Sequence, residues 1–345
     1  DPQVGYRITE VPHLAIEGKV KAYYIMGEDP LQTEADLGLV RKGFQALDFI
    51  VVQDIFMTKT AEQADVILPS TSWGEHGGIF TCADRGFQRF EQAVQARGNV
   101  KRDWEIISLL ATAMGYPMSY TDNEEIWHEV RALCPLFFGA TYEKLAGLAH
   151  IQWPCPELDH PGTPYLYSDN RFTTPSGKGQ LFATAWRAPA ELPDDEYPMI
   201  LSTVREVGHY SCRSMTGNCK ALASLADEPG YVQIHPDIAK AAGIADQEIV
   251  WVASRRGKVL SRCNLNETVN KQAIYMTYQW WIGACNELTQ DNLDPVSKTP
   301  ETKYCAARVV KIDDQKWAES QVAQDNHAMR SRLINLVEQA KTATH

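Results

Sequence analysis

Chemistry-bearing side chains are densest in Arg205-Glu206-Val207-Gly208-His209-Tyr210-Ser211-Cys212-Arg213, directly after the apolar run 199–204. Two arginines, a histidine, a carboxylate and a hydroxyl stand together there. An arginine fork suits bidentate contact with phosphate or the edge of a fused heterocycle. His209 can donate to an anionic sulfur or phosphate. The competing explanation is a solvated, charge-paired loop, but this density at a strand end favours binding. Cys212 has no His–Asp partner nearby and reads as a small inert hydrophobe.

Weaker candidates lie elsewhere. Gly27-Glu28-Asp29-Pro30 lets backbone approach a phosphate, since glycine lacks a Cβ, although the four residues alone favour a simple strand-to-helix turn. Gln53-Asp54 follows an apolar run; its carboxylate suits a ribose hydroxyl or a guanine amino edge, or equally a helix cap. Tyr278 and Asn286 could bond a buried polar ligand, and Lys298 and Lys303 could neutralise phosphate, although most lysines are solvated. Trp280 and Trp281 read as core. Ser176-Gly177-Lys178-Gly179 lacks the spacing of a phosphate loop and reads as a turn. His76, between glycines, has no second metal ligand at a useful spacing. The eight cysteines include no C-x-x-C pair, so neither an iron–sulfur nor a zinc site has its usual local form. No catalytic and no metal-ligating residue is assigned.

The elements that would position these groups follow from periodicity. Val20 to Met26 reads as a strand, residues 31–46 as a helix, and Phe49-Ile50-Val51-Val52 as a strand buried on both faces. Thr58 to Ala64 is a short helix and Val66-Ile67-Leu68 a third strand. This alternation predicts an α/β fold with a parallel, Rossmann-like sheet, whose ligands bind beyond the carboxyl ends of the strands. Residues 71–102 read as loop-rich. A helix follows, with Asp103 as its N-cap, and another over 124–133. Residues 151–197 form a connecting segment. From 198 to 312, short strands with turn signals, among them a hairpin around Arg255-Arg256, predict a closed or sandwich-like β domain. Residues 313–345 read as a polar, peripheral helical tail.

A net charge of −11 argues against a nucleic-acid binder, yet a few local cations suffice for one anionic cofactor. No apolar run approaches the roughly 20 residues that span a bilayer. The scattered cysteines suit a reducing compartment.

Taken in order, Lys21-Ala22-Tyr23-Tyr24-Ile25-Met26-Gly27-Glu28-Asp29-Pro30, Val51-Val52-Gln53-Asp54-Ile55-Phe56-Met57-Thr58-Lys59-Thr60-Ala61, Ala64-Asp65-Val66-Ile67-Leu68-Pro69, Thr203-Val204-Arg205-Glu206-Val207-Gly208-His209-Tyr210-Ser211, the helix from Asp237 and the stretch from Tyr275 to Asn286 resemble the molybdopterin oxidoreductase family. Within it they are similar to formate dehydrogenases of the formate hydrogenlyase type. The resemblance implies that residues 1–150 are part of a discontinuous α/β domain binding a guanine dinucleotide. It implies that residues 198–312 are a β-barrel capping a molybdenum bis-molybdopterin guanine dinucleotide. Gly27, Glu28 and Asp29 would then face the nucleotide. Gln53, Asp54, Thr58 and Asp103 would read its ribose or guanine. Arg205, Glu206, His209, Ser211, Tyr278 and Lys303 would contact pterin or phosphate.

The family's [4Fe–4S] cysteines, its molybdenum ligand (selenocysteine or cysteine) and the neighbouring His and Arg have no counterpart here. The implied partners are therefore the N-terminal half of the same polypeptide, formate as substrate and an iron–sulfur electron-transfer subunit, in the cytoplasm. A nitrate or polysulfide reductase of the same superfamily, or a free-standing non-catalytic module, is the alternative. A nicotinamide dehydrogenase is disfavoured because no G-x-G-x-x-G opens the first helix.

Overall fold

The first apolar run folds as β1 (Ala22–Met26), preceded by α1 (Val11–Ile16), in a computed structural model that describes residues 3–224 and 228–343. The expected helix over 31–46 is broken into α2 (Pro30–Thr33) and α3 (Leu37–Gln45). Asp36 causes the break. It takes a left-handed φ of 49° and caps α3 by accepting from the Leu39 N–H at 3.1 Å. β2 (Phe49–Asp54) and β3 (Val66–Pro69) complete a sheet of order β1-β2-β3, with β1 and β2 parallel from Ala22↔Phe49 to Met26↔Gln53. Leu37, Val40 and Phe44 of α3 pack on Ile25, Ile50 and Val52. The other face of β2 is open at its start and closes toward its end: Phe49 is 45% exposed, Val51 half-buried and Gln53 0% exposed, against 0% for Val52, which corrects the expectation of burial on both faces over residues 49–52. The helix expected over 58–64 is a single 3-10 turn, Ala61–Gln63.

The segment expected to be loop-rich contains β4 (Gly78–Thr81) and β5 (Gly86–Phe90), antiparallel, with β6 (Ile151–Gln152) beside β5. Glycines at the start of both strands hide their alternation. α4 (Asp103–Ala113) and α5 (Asn123–Leu133) follow. Asp103 is the first residue of α4 rather than its cap. Arg102 holds the cap position, and its N–H donates to Glu105 at 2.8 Å. Phe87, Trp127, Leu145 and Ile151 form the local core.

The later strands close into a barrel. β7 (Met199–Val204), α6 (Lys220–Ala223), β8 (Tyr231–Ile234), α7 (Pro236–Ala241), β9 (Ile249–Ser254), β10 (Gly257–Leu265), β11 (Ala273–Thr277) and β12 (Cys305–Lys311) follow in sequence. Their order round the barrel is β10-β8-β11-β7-β12-β9. The β9–β10 hairpin turns at Arg255-Arg256, as expected. Strand β8 was not expected. Closure removes free edges and buries Leu201, Val232, Val252, Ile274 and Met276 to 0% exposure. β7 and β11 are parallel neighbours, so their carboxyl ends lie side by side.

The tail is helical as expected, forming α8 (Gln315–Ala343); residues 344 and 345 lie outside the described residues. Its peripheral placement is corrected. Ala318, Val322 and Met329 are 0, 3 and 4% exposed, and the first two pack on Ile249 and Leu260. By packing, the chain forms two units, one from the residues up to 67 with those from 187 on, the other from residues 68–186. Among the described residues, no helix is long and apolar enough to cross a membrane.

Candidate functional site

At the carboxyl end of β1, Gly27 turns the chain with a φ of 63° while its N–H donates to the Gln53 carbonyl at 2.9 Å. Glu28 is exposed. Asp29 is buried, and its Oδ1 accepts from the Thr60 N–H at 2.9 Å and the Thr60 hydroxyl at 2.6 Å. Burial pushes this carboxyl above its usual range, against the pull of those two hydrogen bonds. Asp29 thus clamps the loop after β1 to the loop after β2, a role not expected from sequence.

In that second loop the Gln53 side chain is buried and accepts from the Tyr24 hydroxyl. Asp54 accepts from the Phe56 N–H at 2.8 Å, and the Thr58 hydroxyl from the Ala61 N–H at 3.0 Å. Asp29 and Thr58 line a cavity of about 380 Å³, together with Lys59, Trp281 and Arg330. Asp103 belongs to the other packing unit, in the first turn of α4.

The barrel offers a second cluster at the carboxyl ends of β7 and β11. Arg205 is exposed, its guanidinium 5.8 Å from the Tyr278 ring. Glu206 donates its N–H to Gln279 Oε1 and accepts from the Tyr231 hydroxyl at 2.9 Å. Gln279 Nε2 also donates to the His209 carbonyl at 2.8 Å, so one buried glutamine fixes the loop. His209 is 7% exposed; its Nδ1 lies 2.9 Å from the Thr216 hydroxyl and its ring meets Trp280 edge-on at 5.3 Å. Its Nε2 is buried with no partner among the described residues. Lys303 donates to the Thr203 carbonyl; burial lowers its pKa, and Arg205 adds to that. Ser211 and Arg213 hold left-handed φ values of 45° and 64°, a conformation that costs non-glycine residues free energy and concentrates at ligand sites.

Burial, with Arg213 nearby, also holds the His209 imidazole below its ordinary pKa. The fold keeps it neutral where the unfolded chain takes up a proton, below about pH 6.5. The stabilisation is full above that pH and declines as pH falls through it. Melting temperatures taken between about pH 5 and 7.5 should therefore fall on the acid side, less so in His209→Gln. An equal acid-side fall in both proteins contradicts the assignment.

The two clusters are joined chiefly by Gln32 and Lys59, which local sequence did not single out. Gln32 Nε2 donates to the carbonyls of Tyr278 and Trp280, each at 2.8 Å. Lys59 Nζ donates to Gln32 Oε1 at 2.5 Å and to the Trp281 carbonyl at 3.0 Å. The ends of one parallel pair are thereby tied to the ends of the other. Asn286 belongs to this seam, donating to the Thr33 carbonyl at 2.7 Å. Trp281 is not core, as expected from sequence, but cavity wall, its indole N–H fixed by the Cys212 carbonyl at 2.9 Å. Thr174 and Gly177 form the expected turn. His76 bonds the Thr71 hydroxyl at 3.0 Å, and the described residues contain no cluster of His, Cys, Asp and Glu suited to a metal.

Comparison with known proteins adds the following. The Molybdopterin oxidoreductase family model matches residues 2–113, and the Molydopterin dinucleotide binding domain model residues 199–306. Formate dehydrogenase H of Escherichia coli is 60% identical over 331 residues, covering 95% of this chain and 46% of that protein. The F420-dependent formate dehydrogenase subunit alpha of Methanocaldococcus jannaschii is 39% identical over 90% of this chain and 46% of its own length. Acetylene Hydratase from Pelobacter acetylenicus superposes with a TM-score of 0.70 at 19% identity, covering 88% of this chain and 46% of that one, a likeness of fold. The chain spans about half the length of the relatives it matches.

Proposed function

Because the chain belongs to the molybdopterin oxidoreductase family, we propose that it is the C-terminal part of a formate dehydrogenase and that its share of the work is to hold the cofactor, a molybdenum bis-molybdopterin guanine dinucleotide. The observation that carries this reading is the loop after β7. A buried ring nitrogen of His209 lacks a protein partner among the described residues, in the same loop as an exposed arginine and two left-handed residues. A buried donor or acceptor left unmade costs about 1–3 kcal/mol, so a polar ligand there is favoured. Arg205 and Lys303 supply the positive charge that a pyrophosphate needs.

In this reading Arg205, Glu206, His209, Ser211, Tyr278 and Lys303 bind pterin or phosphate. Gly27, Glu28, Asp29, Gln53, Asp54 and Thr58 serve the nucleotide end, with Asp103 assigned to the same end by resemblance. Several act partly through position: Asp29, Asp54 and Thr58 each brace the loop they stand on. When bound, the molybdenum centre supplies the two-electron chemistry that takes formate to CO2 and a proton. The chain's own residues orient the cofactor and match its charge. The electrons would leave through a [4Fe–4S] cluster ligated outside this chain, toward an iron–sulfur partner subunit in the cytoplasm.

The test is to purify the full-length protein without oxygen. Molybdenum and guanine nucleotide should be found together, with formate-dependent reduction of a dye. A folded protein containing neither overturns the proposal.

A further inference from the structure

Helix α8 lies beyond both stretches matched by the family models, 2–113 and 199–306. Its first turns only complete the barrel's outer packing, through Ala318 and Val322. Further along it does something else. Met329, Arg330 and Leu333 line the same cavity of about 380 Å³ as Asp29, Thr58 and Trp281. That volume falls within the range of small-molecule sites, roughly 300–1,000 Å³. Arg332 anchors the helix, its Nε 2.8 Å from Glu62 Oε1 on the 3-10 turn after β2.

Arg330 stands apart from most other arginines of this unit. Arg41, Arg213, Arg255, Arg256, Arg262, Arg308 and Arg332 all meet a carboxylate. Arg330 meets none among the described residues. Its Nε donates to Asn326 at 3.2 Å, and its guanidinium lies 4.9 Å from the Trp281 ring. The cation thus lies against the ring, and among the described residues the two terminal nitrogens of the guanidinium have no hydrogen-bond partner. The cavity combines a flat aromatic wall, a cation with unused donors, a hydroxyl and a buried carboxylate. A purine nucleotide suits this set: its base takes the aromatic wall, its phosphate the arginine and the hydroxyl, and its amino edge or ribose the carboxylate.

We propose that α8 completes the nucleotide end of the site, with Arg330 binding the nucleotide phosphate and the helix from Met329 onward closing over it. The proposal rests on the reading that this protein holds a guanine dinucleotide. It adds a ligand-contacting residue and a closing element outside the matched domains.

The test uses full-length protein prepared both from ordinary cells and from cells unable to make molybdopterin. Arg330→Ala should release guanine nucleotide about tenfold faster on dilution, the loss of one charge-assisted contact, and Arg330→Lys should restore part of the retention. Independently, trypsin should cut wild-type α8 after Arg330 and Arg332 more slowly in the loaded protein than in the cofactor-free protein. Loaded wild type with unchanged release in Arg330→Ala, and equal cleavage with and without cofactor, overturns the role of α8 alone. Should Arg330→Ala not fold, the wild-type cleavage comparison decides. Wild type that folds without guanine nucleotide overturns this proposal together with the function on which it rests.

Discussion

Glu228→Ala should destabilise the protein by about 3–5 kcal/mol, the usual consequence of stranding one member of a buried ion pair. Its partner Arg213 is 1% exposed and Glu228 6%, with 2.9 Å between Nη1 and Oε1. The second carboxylate oxygen accepts from the Ile282 N–H at 3.0 Å. The guanidinium lies 4.6 Å from the Trp280 ring and 5.1 Å from the Trp281 ring. Burial pushes the glutamate pKa up and the arginine pKa down, so each charge depends on the other. Without the carboxylate, the arginine stays in an apolar slot with its charge unmatched. Glu228→Gln keeps one acceptor oxygen in place of two, enough for either Arg213 or the Ile282 N–H, and should lose less than Glu228→Ala. Thermal or urea unfolding measures both, and a loss below about 1 kcal/mol in Glu228→Ala would show that the slot is open to water.

Gly283→Ala should cost roughly 2–5 kcal/mol, from two causes that can be separated. Gly283 has a φ of 73°, and a Cβ built there would lie 2.2 Å from the Leu260 carbonyl oxygen. That oxygen is backbone of β10, so neither side can move without shifting the barrel. The stretch just before Gly283 holds Trp280 and Trp281, whose carbonyls anchor Gln32 and Lys59. Displacing it would loosen the seam between the two clusters. Gly177→Ala supplies the comparison. Gly177 has a φ of 67°, but nothing lies within 4 Å of a built Cβ, so only the backbone term of about 1 kcal/mol should appear. Equal losses at the two positions would mean that the close approach to Leu260 does not exist.

Part of this site was legible in sequence because its chemistry is local. Arg205, Glu206, His209 and Ser211 sit within seven residues at the end of an alternating strand, and that strand is β7. Parallel pairing of β1 and β2 followed from their apolar runs and the helix between them. Residues whose work is long-range were not legible. Gln32 reaches Trp280 across 248 positions and Lys59 reaches Trp281 across 222, and nothing in either neighbourhood marks them. Trp281 looked like core because consecutive tryptophans after a strand normally are; its place in a cavity wall depends on Cys212 and on α8. Asp29 was picked out correctly as a residue of the strand end, but the use of its Oδ1 by Thr60 requires the two loops to be side by side. The tail looked peripheral because its polar residues outnumber its apolar ones; Ala318, Val322 and Met329 share one face at i, i+4 and i+11, but three residues in a long polar helix do not stand out in the sequence.

The central claim is that the loop after β7 grips the cofactor. It is tested most directly by the molybdenum and guanine nucleotide bound to folded full-length Arg205→Ala after dialysis, beside Lys178→Ala, which alters a turn outside the cluster. Retention in Arg205→Ala should fall about tenfold, the loss of one charge-assisted contact, with Lys178→Ala like wild type. Wild-type content of both in Arg205→Ala would contradict the account.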